Sequence, residues 1–354
     1  MKIAVLTSGG VDSSVALALL KDQGHDVTAF YLKIWLEDEL SHLGDCPWQE
    51  DLDFVTKLCS QCDVPLEVVS LQSEYRDQVV SYALDEVKQG RTPNPDIFCN
   101  LRVKFGVFYD KIGEDFEKVA SGHYAQVCES AEGVQLLRAQ DKIKDQTYFL
   151  SHLRQDQLKR AMFPIGHLTK IQVRKIASEK GIPAQDRDES QGICFLGKIK
   201  FSEFLKHHLG EKPGDLVEFE TGKVLGEHKG FWFHTVGQRK GIGLSGGPWY
   251  VVKKDALNNI VFISKNYFDK EKSRNKFYIT NFHWISGKPP QRRELKVKLR
   301  HGPHEYGCKL DILDDATGLV TLDGRDQGIA PGQFAVFYDC NICLGCAMIR
   351  GVGL

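Results

Sequence analysis

Two textures of apolar and polar positions divide the chain. From residue 1 to about 125, short apolar runs alternate with stretches of helical period. The runs at 3–7, 27–34, 66–71 and 118–121 read as strands, and 13–23, 49–63, 73–89 and 100–113 as helices. Strands separated by helices pair in parallel, which predicts a doubly wound α/β sheet with ligands at the carboxyl ends of its strands. Residues 125–200 add a hairpin-like pair, Ala125–Glu129 with Val134–Ala139, and helices near 147–162 and 169–180. From about 210 the runs are short and β-rich, broken by Gly, Pro, Asn and Asp: Leu216–Phe219, Phe231–Thr235, Trp249–Lys253, Ile260–Ile263, Phe277–Ile285, Leu295–Arg300, Cys308–Leu313, Leu319–Leu322 and Ala335–Tyr338. That spacing predicts small barrels or sandwiches. The expected organisation is an α/β domain over 1–205, a central β-rich domain over 206–268, and a C-terminal β-barrel-like domain over 269–354.

Composition changes this picture little. At 354 residues the chain exceeds one ordinary core, and 42% hydrophobic with 26% charged residues is usual for a globular protein. No stretch of roughly 18 apolar residues predicts a membrane span. The apolar run after Met1-Lys2 is too short for a signal peptide, so a cytoplasmic protein is expected. A net charge of −1 gives no general excess of Lys and Arg for nucleic acid. Basic residues do cluster, as Lys265, Lys270, Lys272, Arg274 and Lys276, and as Arg292, Arg293, Lys296, Lys298, Arg300 and Lys309. A solvated face explains such clusters as well as phosphate binding does.

The 10 cysteines of such a chain are expected to be reduced, catalytic or metal-bound. Cys340, Cys343 and Cys346 have the spacing of an iron–sulfur loop, but no fourth cysteine and proline complete it. They read as small buried residues of a strand pair, as do Cys59 and Cys62 of a helix, and no metal site is assigned.

The candidate chemistry starts at Ser8-Gly9-Gly10-Val11-Asp12-Ser13-Ser14, between a strand, Ile3–Leu6, and a helical run from Val15. Two glycines permit a tight turn and close approach of a ligand. Unpaired amides and the dipole at the helix N-terminus make an anion site. The Gly-Lys-Ser/Thr ending of a Walker A loop is absent. Ser121-Gly122-His123 and Leu32-Lys33 follow other strands and are placed to line the same crevice. Cys99 follows Thr92-Pro93-Asn94-Pro95-Asp96, whose prolines rigidify the approach and forbid helix before them. It is expected at a helix N-terminus, where the dipole favours thiolate, with Asp96 as a proton acceptor or a structural cap. Cys194 lies among glycines, in Gly192-Ile193-Cys194-Phe195-Leu196-Gly197.

Ser8–Ser14 resembles the pyrophosphate loop of the PP-loop ATP-pyrophosphatases, which split ATP between its α and β phosphates. Together with Asn94–Asn100 and Gly192–Phe195, the whole chain resembles the bacterial-type tRNA-specific 2-thiouridylases. Ala120–Ala125, Lys144–Leu150, Phe163–Gly166, Val236–Gly241, Pro248–Val252 and Ala330–Gln333 agree in order, so the match runs from residue 3 to about 349. The resemblance implies a tRNA-uridine 2-sulfurtransferase that thiolates the wobble uridine, using ATP with Mg²⁺ and a sulfur-donor protein. By the same resemblance Leu6, Thr7, Ser8, Gly9, Gly10, Val11, Asp12, Ser13, Leu32 and Gly122 hold ATP. Asn94, Pro95 and Asp96 meet the target base, with Asp96 also a catalytic candidate. Cys99 is the nucleophile and Cys194 the persulfide carrier. His123, Lys144, Asp145, Gln146, Arg300, His301 and Gln333 touch tRNA. His301 stands where the family often has Tyr, and Cys346-Ala347 replaces a usual glycine run. The alternative is a ligase or amidotransferase of the same superfamily acting on a small molecule, for which the paired cysteines would be idle.

Overall fold

The computed structural model describes residues 1–34, 48–187, 199–267, 269 and 274–351. Cys194, with the rest of 188–198, lies outside the described residues, as does Cys46.

The first strands are β1 (Lys2–Leu6), β2 (Asp26–Lys33), β3 (Leu66–Ser70), β4 (Lys118–Ser121), the hairpin β5 (Ala125–Ser130) and β6 (Gly133–Arg138), and β7 (Ala161–Met162). A five-stranded sheet has the order β3-β2-β1-β4-β7, and each adjacent pair is parallel. β1 is central and fully apolar from Ile3 to Leu6 because both its faces are covered. Chain order reverses between β1 and β4, so the crevice at their carboxyl ends is the topological switch point. Helix α1 (Val11–Asp22) packs Val15, Ala16, Leu17 and Leu20 into one side of the sheet, in a cluster with Val55 and Leu58 of α2 (Trp48–Cys62). The helical run 72–88 (α3) and the helical run 95–112 (α4) cover the other side, where Phe30, Val79, Phe105 and Phe108 share a core with Cys99.

After α5 (Lys170–Glu179) and α6 (Phe201–Leu209), the β-rich half begins. Strands β8 (Gly214–Glu218), β9 (Val224–His228), β10 (Tyr250–Asp255) and β11 (Ile260–Ser264) form a sheet ordered β10-β11-β8-β9. Phe231–Thr235, expected as a strand, is instead a 3₁₀ turn at Phe231–Phe233. Its aromatic content reflects packing of Phe231 into the core with Leu216, Val251 and Ile263 rather than strand pairing. The remaining strands are β12 (Arg274–Trp284), β13 (Glu294–Lys298), β14 (Tyr306–Ile312), β15 (Thr317–Asp326), β16 (Phe334–Asp339) and β17 (Ile342–Gly351). They run β12-β15-β14-β13-β16-β17, and β17 returns to pair with β12, closing a barrel.

The β5–β6 hairpin joins that barrel: Leu137 pairs with Ile342 and Leu136 with Cys343 at the start of β17. A hairpin from the α/β half therefore extends the C-terminal sheet. Cys343 and Cys346 are buried on β17, and the Cys346 thiol lies 3.4 Å from His152 Nδ1. Cys340, expected to be buried, is exposed at the turn before β17.

Candidate active site

The loop after β1 is held from several directions. Thr7 is buried, and its N–H and hydroxyl both donate to the Phe30 carbonyl, at 2.9 and 3.1 Å, fastening the loop to β2. Gly9 has φ +73°, and a Cβ there would lie 2.7 Å from the Asp51 carbonyl oxygen. Both conformation and space require glycine at that position. Ser13 Oγ accepts the Ser8 N–H at 3.2 Å and donates to the Gly10 carbonyl at 3.1 Å, while Ser14 Oγ donates to the same carbonyl at 2.8 Å. Gly10 brings no side chain to cap α1, so the amides of its first turn are available to an anion. Gly122, at the end of β4, packs so tightly that a Cβ would lie 2.5 Å from the Ser13 nitrogen. Leu32 is the penultimate residue of β2, half-buried, on the strand next to β1. The structure thus brings the predicted ATP residues together at the switch point.

Three further residues complete this corner. The Asp12 Oδ1 accepts from the Tyr124 hydroxyl at 2.8 Å and from Lys170 Nζ at 2.7 Å. Lys170 opens α5, which Thr169 caps, and the Asp141 carboxylate accepts its backbone N–H at 3.0 Å. Arg187 donates to the Gly9 carbonyl at 2.9 Å and pairs with Asp51 at 2.7 Å. None of the three was found in the sequence. Lys170 lies within the Thr169-x-x-Gln172 capping pattern, the one local signal. The residues present suit ATP: a helix N-terminus with no side-chain cap, two glycine approaches that a Cβ would fill, and cations to offset phosphate charge. Asp12 is a hard oxygen donor of the kind Mg²⁺ takes.

The second group surrounds Cys99. The residues leading into Pro95 are not helical, as expected of the prolines, and Pro95 opens the helix as its first residue, as proline favours. Asn94 is the cap, its Oδ1 accepting the Ile97 N–H at 3.5 Å and its Nδ2 donating to the Tyr148 hydroxyl at 3.4 Å. The capping alternative for Asp96 therefore falls, and Asp96 is half-buried in the first turn. Cys99 sits a turn further in, its N–H bonded to backbone carbonyls of that turn, so the expected end-of-helix placement is corrected. The dipole effect fades beyond the first turn. Cys99 is 1% exposed and opens the widened, π-helical stretch Cys99–Val107. Gln333 Nε2 donates to the Thr92 and Pro93 carbonyls at 3.1 and 2.9 Å, pinning the approach to Asn94 from the barrel.

The predicted RNA contacts separate into kinds. Arg300 and Gln333 line an open cleft of about 580 Å³, with Thr92, Gly237, Tyr267 and Asp326 from all three regions. Arg300 is half-exposed and pairs with Asp326 at 2.6 Å. His301 is exposed and rests on the Phe149 ring at 4.6 Å between centroids. Asp145 is 2% exposed: it pairs with the buried Lys298 at 2.9 Å and accepts from Thr147 Oγ1 at 2.9 Å, so it does not face RNA. Lys144 and Gln146 flank it, half-buried. Burial, reinforced by Lys104, pushes the His123 imidazole down to about 3. His123 is therefore neutral, and its Nδ1 lies 2.8 Å from Ser121 Oγ.

Taken together, fold and loop define an α/β nucleotide-binding enzyme domain of the HUP class joined to two β domains. Family models described as tRNA methyl transferase HUP domain, tRNA methyl transferase PRC-barrel domain and aminomethyltransferase beta-barrel domain match residues 1–198, 202–265 and 274–349. The tRNA-specific 2-thiouridylase MnmA of Parabacteroides distasonis is 46% identical, covering 99% of each chain. Relatives of the same name from Bacteroides fragilis and Porphyromonas gingivalis are 45% and 43% identical, covering 98% and 99% of this chain and 99% of their own. The chain belongs to the tRNA-specific 2-thiouridylase family, whose members are sulfurtransferases. The small-molecule ligase alternative is set aside by that membership. Among the described residues, no helix is long and apolar enough to cross a membrane.

Proposed function

We propose that this chain catalyses ATP-dependent 2-thiolation of the wobble uridine of tRNA, in the cytoplasm, where thiols stay reduced. The observation that carries the reading is the anion-binding loop at the switch point, in a chain aligned with thiouridylases over nearly its full length. The uracil C2 oxygen is a poor leaving group, and ATP supplies the AMP that turns it into a good one, with pyrophosphate released. The amides of α1 and the hydroxyls of Ser8 and Ser13 would hold the pyrophosphate. Lys170 would offset its charge, and Asp12 would hold Mg²⁺.

Cys194 would carry the persulfide, loaded by a sulfur-donor protein. Its terminal sulfur forms the bond to C2 as AMP departs with the oxygen. The Cys99 thiolate then attacks the inner Cys194 sulfur and breaks the S–S bond. The terminal sulfur stays on the base, and the two cysteines are left as a disulfide, having given up the electron pair that reduces the transferred sulfur. External thiol restores them. Asp96 and the Asn94-Pro95 turn would orient the flipped base. Arg300, His301, Gln333, Lys144 and Gln146 would meet the RNA around it.

Nucleoside mass spectrometry of tRNA after incubation with ATP, Mg²⁺, a reducing thiol, and a cysteine desulfurase with free cysteine as the source of persulfide sulfur tests this. 2-Thiouridine is expected with the wild type and absent with Cys99→Ser or Cys194→Ser. Substantial product from either variant overturns the mechanism, and none from the wild type overturns the function.

A further inference from the structure

We propose that Tyr124 is a positioning residue that ties RNA docking at 144–146 to the charge presented by the pyrophosphate loop. The inference rests on the function proposed above. Tyr124 is 2% exposed, and its hydroxyl donates to Asp12 Oδ1 at 2.8 Å, the same oxygen that receives Lys170 Nζ. Its backbone is clamped at both polar atoms by one residue. The Tyr124 N–H donates to Gln146 Oε1 at 2.9 Å, and the Gln146 N–H donates to the Tyr124 carbonyl at 2.9 Å.

Gln146 follows Asp145, which is locked to the barrel through Lys298 at 2.9 Å. On the other side, Gly122 presses on the first turn of α1, with no room for a Cβ. Residues 121–124 thus carry one candidate RNA contact, His123, between two contacts to the loop helix. A buried tyrosine has two side-chain torsions and packed surroundings, so a shift of its backbone moves its hydroxyl rather than being absorbed. By sharing the Asp12 carboxylate, the hydroxyl sets how Lys170 divides between Asp12 and an arriving polyphosphate. RNA at 144–146 and ATP at the loop should therefore change each other's affinity by the same factor.

The test measures binding without turnover. α,β-Methylene-ATP with Mg²⁺ is titrated into the full-length protein with and without a tRNA transcript carrying uridine at the first anticodon position. The wild type is expected to bind the analogue about tenfold more tightly when tRNA is present, within the usual range of coupling between sites. In Tyr124→Phe the ratio of analogue affinities with and without tRNA is expected to fall to about twofold or less, on the same scale, whatever the affinity for the analogue alone. Hydrogen exchange on the wild type gives a second measurement, with tRNA alone expected to raise protection in the first turn of α1. An undiminished enhancement in a folded Tyr124→Phe, no enhancement in the wild type, or unchanged exchange at α1 overturns the proposal. Failure of the wild type to bind either ligand strikes instead at the function on which it rests.

Discussion

His123 and His152 show how much a single side chain depends on what covers it. Burial holds both imidazoles at about 3, with Lys104 adding to the effect at His123 and His283 and Arg102 at His152. In the unfolded chain each would titrate near 6.5. Between those values the unfolded state binds the proton and the folded state does not. Stability is therefore full above pH 6.5 and is lost as pH falls toward 3. The limiting slope is about 1.4 kcal/mol per pH unit for each group. Chemical denaturation of the wild type and of His152→Gln from pH 7 to 4.5 should show a shallower decline in the variant, whatever its stability at pH 7. Equal slopes would mean that His152 charges in the folded protein. At the same scale, Cys99 is recognisable in sequence by its neighbours, but not its depth. Asn94 takes the cap and moves the helix start forward to Pro95, and that shift buries the thiol.

Among the elements, the loop and α1 form a unit whose tolerance is set by backbone clearance. Gly122→Ala would place a methyl 2.5 Å from the Ser13 nitrogen, and neither β4 nor α1 has a flexible side chain there to yield. Overpacking of this kind costs about 1–3 kcal/mol. The expected result is a lower melting temperature together with weakened ATP binding, because the displaced atoms are the anion-binding amides. Gly24→Ala, after the same helix, meets no atom within 4 Å and carries only its φ of +76°, so it should destabilise without weakening the nucleotide. Equal nucleotide affinity in the two variants would show that the approach of Gly122 does not shape the site. The loop was legible because strand, turn and helix are adjacent in sequence. Arg187, Lys170 and Tyr124 were not, since each reaches the loop from far along the chain.

At the scale of the whole molecule, the nucleotide-binding half and the barrel are joined by a buried polar knot. Lys298 of β13 and Asp145 are 2% exposed each, with Arg138 and Tyr338 beside them. Lys298→Met would leave the Asp145 carboxylate without its ammonium, and breaking a buried pair costs about 3–5 kcal/mol. Replacing both charges is far milder, so Asp145→Asn with Lys298→Met should recover most of the loss in urea denaturation. A double variant no more stable than Lys298→Met would argue against the pair as the cause. In the sequence Lys298 counted among a basic run and Asp145 among RNA contacts, because a charged residue carries no mark of its own burial.

What was legible in the sequence was most of the local elements and the glycine-rich loop between β1 and α1, because these depend on residues adjacent in the chain. Tertiary structure alone decided which distant side chains meet. It set Tyr124 and Lys170 on Asp12, seated the β5–β6 hairpin on β17, and turned Asp145 inward onto Lys298. The physical reason is that hydrogen bonds and ion pairs are specified by position in space, and the register between β1, β4 and the barrel strands that fixes those positions comes from packing the whole chain.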